Sequence, residues 1–534
     1  MSTPDFKPVL TREDMRRLDA ATISAGTPSI ELMERAGRRI AEYLQANREM
    51  FPGGRTTRPS LLVLAGSGNN GGDGFVVARL LAELGWNVDV TLCGREPAPG
   101  SDAAANLRLW RDAGGKITEI GRVLSKLHDG GAGWDVALDA LYGTGLDRAL
   151  QGRDVDVVRA VNESALYTVA VDIPSGLCAD TGHPLGVAVV ADATVTIGAG
   201  KPGLFVGAGP DHAGRVTVVD IGLLDLEKAG IESLAQVIDR ETCSMWLPPR
   251  RNTIHKGDLG HVLVVGAQRG KTGAVLLAAR GALRAGAGLV TMAVPQSLVD
   301  PTDTALTEAM TFGVAETARG EVGEGAFETL APELGRFTTA VVGPGMGTGP
   351  GAHTLVKGLL RDFAGTLVID ADGLNVLASS RDELAVALSH RRARGQGAVI
   401  LTPHPGEMGR LAGTSSNDVQ QDRLAAVRSF CSKHAATLVL KGAGTIVSDG
   451  VRTAFNTSGN PGMASPGMGD VLSGITAAFA ARIASSFVAA SSAVHVHGLA
   501  ADLLAVRIRG AGFLAGEVAD TVPAATASLG STVL

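Results

Sequence analysis

Aromatic side chains are scarce in this 534-residue chain: 13 Phe, 4 Trp and 3 Tyr, 4% of the total. Without that bulk, Ala, Val and Leu must fill the cores by close approach to backbone, which the 71 glycines permit. This favours layered α/β units with tight strand-to-helix turns. Cysteine is rare too. Cys93, Cys178, Cys243 and Cys431 have no paired spacing, which fits neither a zinc site nor a disulfide framework and predicts reduced thiols in a cytoplasmic protein. A basic stripe is missing: 48 Lys and Arg stand against 54 Asp and Glu, a formal charge of −6, so nucleic acid is not an expected partner. The first residues, MSTPDFKPVLTREDMRRLDAATISAG, contain no apolar core, so no secretory signal is expected. The least polar long stretch, Arg482 to Asp502, holds His495, His497 and several serines and reads as a buried helix, not a membrane span.

What is present is a repeated alternation of short β-rich and helical runs. Helical segments near Arg12–Thr22 and Ile30–Gln45 precede the strand LLVLAG, a glycine loop and a helix through Leu84. Further strands are NVDVTLCG, DVALDAL, LYTVAVDIP, ATVTIGAG and RVTVVDIG, the first four separated by helical stretches. Apolar strands with helical crossovers predict a doubly wound parallel sheet. The rhythm breaks at VIDRETCSMWLPPRRNTIHKGDLG, where Pro248 and Pro249 suggest a boundary near 235–250. A second, longer α/β alternation follows, with no clear repeat of the first. The Ala/Thr/Ser-rich tail after about Gly516 is expected to pack poorly.

In the first half, GSGNNGGDG (66–74) ends a strand and opens a helix, where backbone N–H groups favour an anion. Asn69, Asn70 and Asp73 add hard oxygens and no positive charge, which suits a monovalent cation beside phosphates. Asp139, before the turn Gly143–Gly145, and Asp172 with Ser175 in VDIPSGL also lie at strand ends, so these loops should converge on one crevice. Each aspartate alone could equally cap a helix. Lys201 in IGAGKPGL could pair with an acid or a phosphate, or simply be solvated.

In the second half, NPGMASPGMGDVLSG sets Gly467, Gly469 and Asp470 at the start of an apolar helix. This is a phosphoryl-transfer pattern in which backbone amides hold charge and the carboxylate takes a proton from an attacking hydroxyl. A helix cap is the plainer alternative. Lys441 to Thr445 form a small glycine turn suited to nucleotide phosphates. His404 and Glu407 in TPHPGEM, and Asp370, Asp372 and Asn375 in DADGLN, follow other strands, the latter where magnesium or substrate hydroxyls could be met. No Gly-Lys-Ser/Thr follows a P-loop glycine run.

GSGNNGGDG, DALYGTGL, VDIPSGL with ADTG, and GAGKPG together resemble the epimerase domain of NAD(P)H-hydrate repair enzymes. HKGDLGHVLVVGA, GPGMG, DADGLN, TPHPGEM, KGAGT and GNPGMASPGMGDVLSG resemble the dehydratase half of the same family. The resemblance implies a Rossmann-like domain over 1–238 and a ribokinase-like domain over 239–534. It implies interconversion of the R and S hydrates of NADH and NADPH (NADHX and NADPHX), ADP-dependent dehydration of the S form, and a homo-oligomer. By motif, Asn69, Asn70, Gly71, Gly72 and Asp73 would contact the dinucleotide. So would the turn Gly143, Thr144, Gly145, Leu146, Asp147, Arg148 and Ala149. Asn70, Asp139 and Ser175 would ligate potassium, Asp172 would touch substrate, and Asp172 with Lys201 would carry the proton chemistry. Ala274, Gly345, His404 and Asp470 would contact the hydrate. Lys441, Gly442, Ala443, Gly444, Thr445 and Gly469 would hold ADP, with magnesium. Asp470 would activate the substrate hydroxyl toward the β-phosphoryl. Two stretches depart from the family pattern: Ser465-Pro466-Gly467-Met468-Gly469-Asp470 where Thr-Gly-Gly-Thr-Gly-Asp is common, and Ala267-Gln268 where Gly-Ser is common. A ribokinase-class small-molecule kinase with a dinucleotide-binding front domain would use the same Gly-Asp pattern. A first domain that only binds or scaffolds is a third reading.

Overall fold

The computed structural model describes residues 7–52, 58–131, 133–231, 235–247, 252–510 and 512–530. Pro248 and Pro249 lie outside the described residues. The chain divides into two compact units that meet between Gln236 and Val237.

The first unit is built on seven strands: β1 (Ser60–Ala65), β2 (Asn87–Leu92), β3 (Ile117–Thr118), β4 (Val136–Ala140), β5 (Tyr167–Val171), β6 (Ala193–Ile197) and β7 (Arg215–Val219). Their order is β3-β2-β1-β4-β5-β6-β7, and every pairing is parallel. Period-two alternation makes the strands apolar on both faces. Leu61, Val63 and Ala65 pack in one core with Phe75 and Leu81; Leu62 and Leu64 pack in the other with Val157 and Val161. The order reverses between β1 and β4, so their carboxyl ends flank a crevice, the usual ligand position in such sheets. Two helices precede the sheet, α1 (Arg12–Ser24), capped by the Thr11 hydroxyl, and α2 (Ser29–Ala46).

Three expectations need correction. The asparagine-glycine stretch is not a loop leading to a helix: α3 (Asn69–Glu83) already includes it. Its glycines serve packing, since a Cβ on Gly71 would fall 1.9 Å from Gly66 O and one on Gly74 2.8 Å from the Ala140 Cβ. The segment 172–192 between β5 and β6 contains no helix. It is rich in Gly and Pro and is tied down by backbone bonds such as Val189 N to Ser175 O (2.9 Å). The tail is well packed: Ala515–Ser528 is a helix that buries Ala515, Val518, Ala519, Val522 and Ala525, small residues that fit closely against its neighbours.

The second unit holds β8 (Ala235–Ile238), β9 (His261–Val265), β10 (Leu289–Pro295), β11 (Met310–Val314), β12 (Thr339–Val342), β13 (Thr366–Ile369), β14 (Val399–Leu401), β15 (Thr437–Leu440), β16 (Ile446–Ser448) and β17 (Thr453–Asn456). The order is β11-β10-β9-β12-β13-β14-β15-β16-β17-β8, parallel from β11 to β15, with β16 and β17 antiparallel. The antiparallel hairpin splits what reads in sequence as one run, TLVLKGAGTIVSD. Glycine replaces aromatic bulk in the helical layer as expected. Helices Thr272–Arg284 and Met468–Ala480 approach so closely that a Cβ on Gly474 would lie 1.9 Å from Ala278 O. The helix Ser486–Ile508 is long and apolar enough to cross a membrane, but 78% of its apolar window is buried within the protein.

Candidate active sites

The first site lies at the carboxyl ends of β1, β4, β5 and β6. Gly66 leaves β1 so close to β4 that a Cβ would fall 2.0 Å from Leu141 O. α3 then starts at Gly68 with no side-chain cap, which leaves its first N–H groups available to an anion. Asn70 is buried and its Nδ2 has no hydrogen-bond partner, while its Oδ1 is 3.1 Å from where a Gly143 Cβ would sit. Asp139, fully buried, accepts hydrogen bonds from Ser175 N (2.7 Å), Ser175 Oγ (2.6 Å) and Leu141 N (3.3 Å). Tyr142 N donates to Ser175 Oγ at 2.9 Å. Neither Asp139 nor Asp172 caps a helix. Burial pushes Asp139 up to about 6 although the Ser175 bonds act the other way. Asn70, Asp139, Ser175 and the Tyr142–Gly143 turn are thus brought together: one buried carboxylate with no cation beside it and one orphaned amide. That donor set, with hard oxygens and a single charge, fits a monovalent cation.

Asp172 follows β5 with φ of 66°, a left-handed conformation costly for a non-glycine residue. Its carboxylate accepts Ile197 N (3.0 Å) and the ammonium of Lys201. Lys201 is not a solvated lysine: it is completely buried and also donates to Thr196 Oγ1 (3.0 Å) and Ile197 O (2.9 Å). Asp73 is buried, and burial first, then the charges of Asp172 and Asp19, push it well above the carboxylate range. Asn69 and the rim turn are more open. Thr144 and Leu146 are half-buried, and Gly145, Asp147, Arg148 and Ala149 are exposed. Arg12 reaches Asp147 at 3.4 Å.

The second site lies at the carboxyl ends of β12, β13, β14 and β15. Asp470 stands in the first turn of Met468–Ala480, whose N-cap is Gly467 with φ of 86° and no side-chain cap. Asp470 therefore does not act as a cap, and the helix end is open to an anion. Burial and the Asp370 charge push Asp470 up to about 7, against the pull of Lys441. Lys441 bonds Asp370 Oδ1 at 2.6 Å and lies 3.8 Å from Glu407 Oε2. Burial alone would lower it, but those two carboxylates outweigh burial and hold the ammonium charged. A Cβ on Gly469 would be 3.2 Å from Lys441 Nζ. In the turn that follows, Gly442 (φ 137°) and Gly444 (φ 61°) flank Ala443, and the Thr445 hydroxyl closes onto Gly442 O at 2.8 Å. Ala274 and Gly345 also meet: a Cβ on Gly345 would be 3.3 Å from that of Ala274. His404 caps the helix Pro405–Ala412, its Nδ1 accepting Gly406 N (3.0 Å), and burial with Lys441 holds its pKa down. Asp372 accepts Gly347 N at 2.9 Å and so ties the GPGMG loop.

A family model described as YjeF-related protein N-terminus matches residues 29–203, and one described as NAD(P)H-hydrate dehydratase matches 262–524. The chain is 38% identical to the bifunctional NAD(P)H-hydrate repair enzyme Nnr of Moorella thermoacetica, over 96% of both chains. The chain belongs to the bifunctional NAD(P)H-hydrate repair enzyme family. The Escherichia coli relative is also 38% identical, over 96% of this chain and 92% of its own. A crystal structure of the ADP/ATP-dependent NAD(P)H-hydrate dehydratase of Bacillus subtilis aligns with 55% of this chain and 98% of its own, with 24% identity and a TM-score of 0.46.

Met468 buries its side chain in the core. Ala267 adopts φ of 69°, a conformation that favours glycine. Three neighbours of the sites carry no motif. Asp19 on α1 enters the electrostatics of Asp73. Buried Arg423 donates to Leu440 O (3.1 Å) and Lys441 O (3.2 Å), fixing the 441–445 turn. Asp502 accepts Gly459 N and Asn460 Nδ2, both at 2.9 Å, holding the loop that leads to Asp470. An acid in an otherwise apolar helix was the one available signal for Asp502; nothing in sequence marks Arg423.

Proposed function

We propose that the first unit interconverts the R and S hydrates of NADH and NADPH and that the second dehydrates the S hydrate with ADP. Spontaneous hydration gives both epimers, and a stereospecific dehydratase clears only one, so the fused pair clears both. Domain limits of 1–238 and 239–534 suit this division. In the first unit the α3 N-terminus and the Gly143–Ala149 rim receive the dinucleotide. Asn70, Asp139 and Ser175 would hold potassium, which when bound would supply positive charge beside the Asp139 carboxylate. Asp172, paired with Lys201, takes the proton released as the hydroxyl-bearing carbon next to the ring nitrogen is inverted.

In the second unit the substrate rests against Ala274, Gly345 and His404, and ADP lies along Lys441–Thr445 and Gly469. Asp470 takes the proton of the substrate hydroxyl, whose oxygen attacks the β-phosphoryl of ADP. AMP leaves, the phosphate ester is eliminated as inorganic phosphate, and the ring double bond returns. The N–H groups of the Met468 helix hold the charge that develops. Asp370 and Glu407 flank an ammonium and do not form a metal cage, so magnesium would enter with the nucleotide phosphates. The four free cysteines agree with a cytoplasmic setting.

The observation that carries this reading is Asp470, pushed up to about 7 at an uncapped helix N-terminus beside Lys441. The experiment is incubation with mixed NADH hydrates and ADP or ATP, following absorbance at the reduced-nicotinamide band. Full recovery of NADH with AMP release is expected with ADP. Asp172→Asn should stop at the S fraction, and Asp470→Asn should epimerise without forming NADH. A stable phosphorylated product would refute the dehydratase reading in favour of a kinase.

A further inference from the structure

Asp19 lies outside every motif of the chain. It sits on α1, one turn after Met15 and next to Leu18, and those two pack with Leu10 against Ala199. The segment before α1 is bridged to the same turn: Leu10 N donates to Gly200 O and Gly200 N to Pro8 O, both at 2.9 Å. α1 is therefore fixed beside the turn that carries Lys201, and Asp19, one turn after Met15, is near enough to feel the charges of Lys201 and Asp172 and to act on Asp73. Asp19 is half-buried and makes no hydrogen bond or ion pair among the described residues. Asp73, only 7% exposed, also makes none. With no partner among the described residues, both carboxyls have polar atoms free for a ligand.

The Asp172–Lys201 pair defines what is missing. Lys201 spends its three ammonium protons on Asp172, Thr196 and Ile197 O, so it has none for a substrate. Asp172 accepts from Lys201, Ile197 N and Thr196 Oγ1 and so stands as a proton acceptor. Inverting a hydroxyl-bearing carbon needs both functions, and unlike environments for two carboxyls mark such an assignment.

We propose that Asp19 is the general acid of the epimerase site, complementing Asp172 as base. This rests on the epimerase reading above. Asp19 gives its proton to the hydroxyl oxygen on the carbon next to the ring nitrogen. The C–O bond breaks, water leaves, and the nitrogen lone pair forms the C=N bond of a planar iminium. Water adds to the opposite face, the nitrogen regains its lone pair, and Asp172 takes a proton from the added water. That proton returns to Asp19 through solvent, so neither atoms nor electrons are left over. Burial, partly countered by Lys201 and reinforced by Asp172, pushes Asp19 up to about 6, near the pH at which an acid of this kind works. The other charges nearby are turned away or engaged elsewhere. Arg12 pairs with Asp147 and Arg17 with Asp14; Glu13, Arg16, Asp225, Glu227 and Lys228 are exposed.

The test is Asp19→Asn in the full chain, given R hydrate without ADP, with the epimers separated and counted. Epimerisation kcat should fall about 10²–10³-fold with KM within about threefold of the parent, and the alkaline limb of kcat/KM near pH 6 should vanish. Asp19→Glu should recover about tenfold over Asn. Dehydration of S hydrate with ADP should be unchanged in both, and the thermal transition of the first unit should keep its midpoint, which shows that this unit folds. The proposal is overturned if the Asn variant retains the parent rate and limb. It is also overturned if Asn and Glu lose activity equally with an unaltered pH profile, the mark of a packing residue. Undiminished epimerisation in Asp172→Asn would sink the epimerase reading itself, a separate failure.

Discussion

Asp370→Asn should lower the pH at which dehydratase activity appears. Asp470 must be ionised to accept a proton, and burial, with the Asp370 charge next, pushes it up to about 7. In the unaltered chain kcat/KM for S-hydrate dehydration should therefore rise with pH and level off above about 7. The charge in question is close: a Cβ on Gly469, the residue before Asp470, would lie 3.8 Å from Asp370 Oδ2. A unit charge about 4–8 Å away, in an effective dielectric of about 20, is worth about 2–4 kcal/mol, and one pKa unit is about 1.4 kcal/mol. Lys441 adds in the same direction, because losing its 2.6 Å bond to Asp370 frees its charge for Asp470. Glu407 takes up most of that freed charge, so the acid limb should move down by about one and a half to three pH units. The assay is initial rate of NADH formation from purified S hydrate at subsaturating substrate, from pH 5 to 9. The height of the plateau reports binding as well; the position of the limb reports Asp470. A limb that stays near 7, or rises, refutes the assignment of Asp470 as the base controlled by this cluster.

Two further outcomes follow from the same contacts. Asp139 stands at about 6 against an ordinary 3.8. The stability it contributes is therefore complete below about pH 4 and lost as pH rises through 6, about 3 kcal/mol in all. Unfolding of the first unit in tetramethylammonium chloride should shift to lower temperature across that window. Potassium chloride should reverse the loss, and Asp139→Asn should remove both effects; equal potassium responses with and without Asp139 would refute the cation site. Gly474→Ala drives a Cβ to within 1.9 Å of Ala278 O, so the helices Thr272–Arg284 and Met468–Ala480 must separate. A loss of about 1–3 kcal/mol in the second unit is expected, read as a lower Tm for that unit with the first unchanged.

Much of the architecture was legible because the strands are apolar on both faces. Leu61 to Ala65 and Val262 to Val265 read as buried parallel strands without ambiguity, and the acids at their ends marked the crevices. The local signals that failed were overridden by tertiary contact. Gly71, Gly72 and Gly74 read as loop, yet they are helical because backbone and side chains crowd them. The alanine-rich tail looked uncommitted, but small residues are what a helix needs to lie close to others. Asp19, Arg423 and Asp502 act across long sequence separations, Arg423 on the 441–445 turn and Asp502 on the 459–460 loop. No periodicity or short motif records such pairings.

The acidity of both sites has one physical explanation. On the proposed function each would receive a diphosphate anion, yet each is lined by aspartates, and its lysine is already bound to one of them. Both sites offer backbone to an anion: α3 and the Met468–Ala480 helix have glycine N-caps and no side-chain caps. Side chains are thereby freed for proton chemistry. Burial then pushes Asp73 well above the carboxylate range, which lessens the negative charge an anion meets there, while Asp139 and Asp470 are left to the cation and to the proton of the substrate hydroxyl. Asparagines and aspartates stand where a phosphate site would be expected to carry lysine because the phosphates are not theirs to hold.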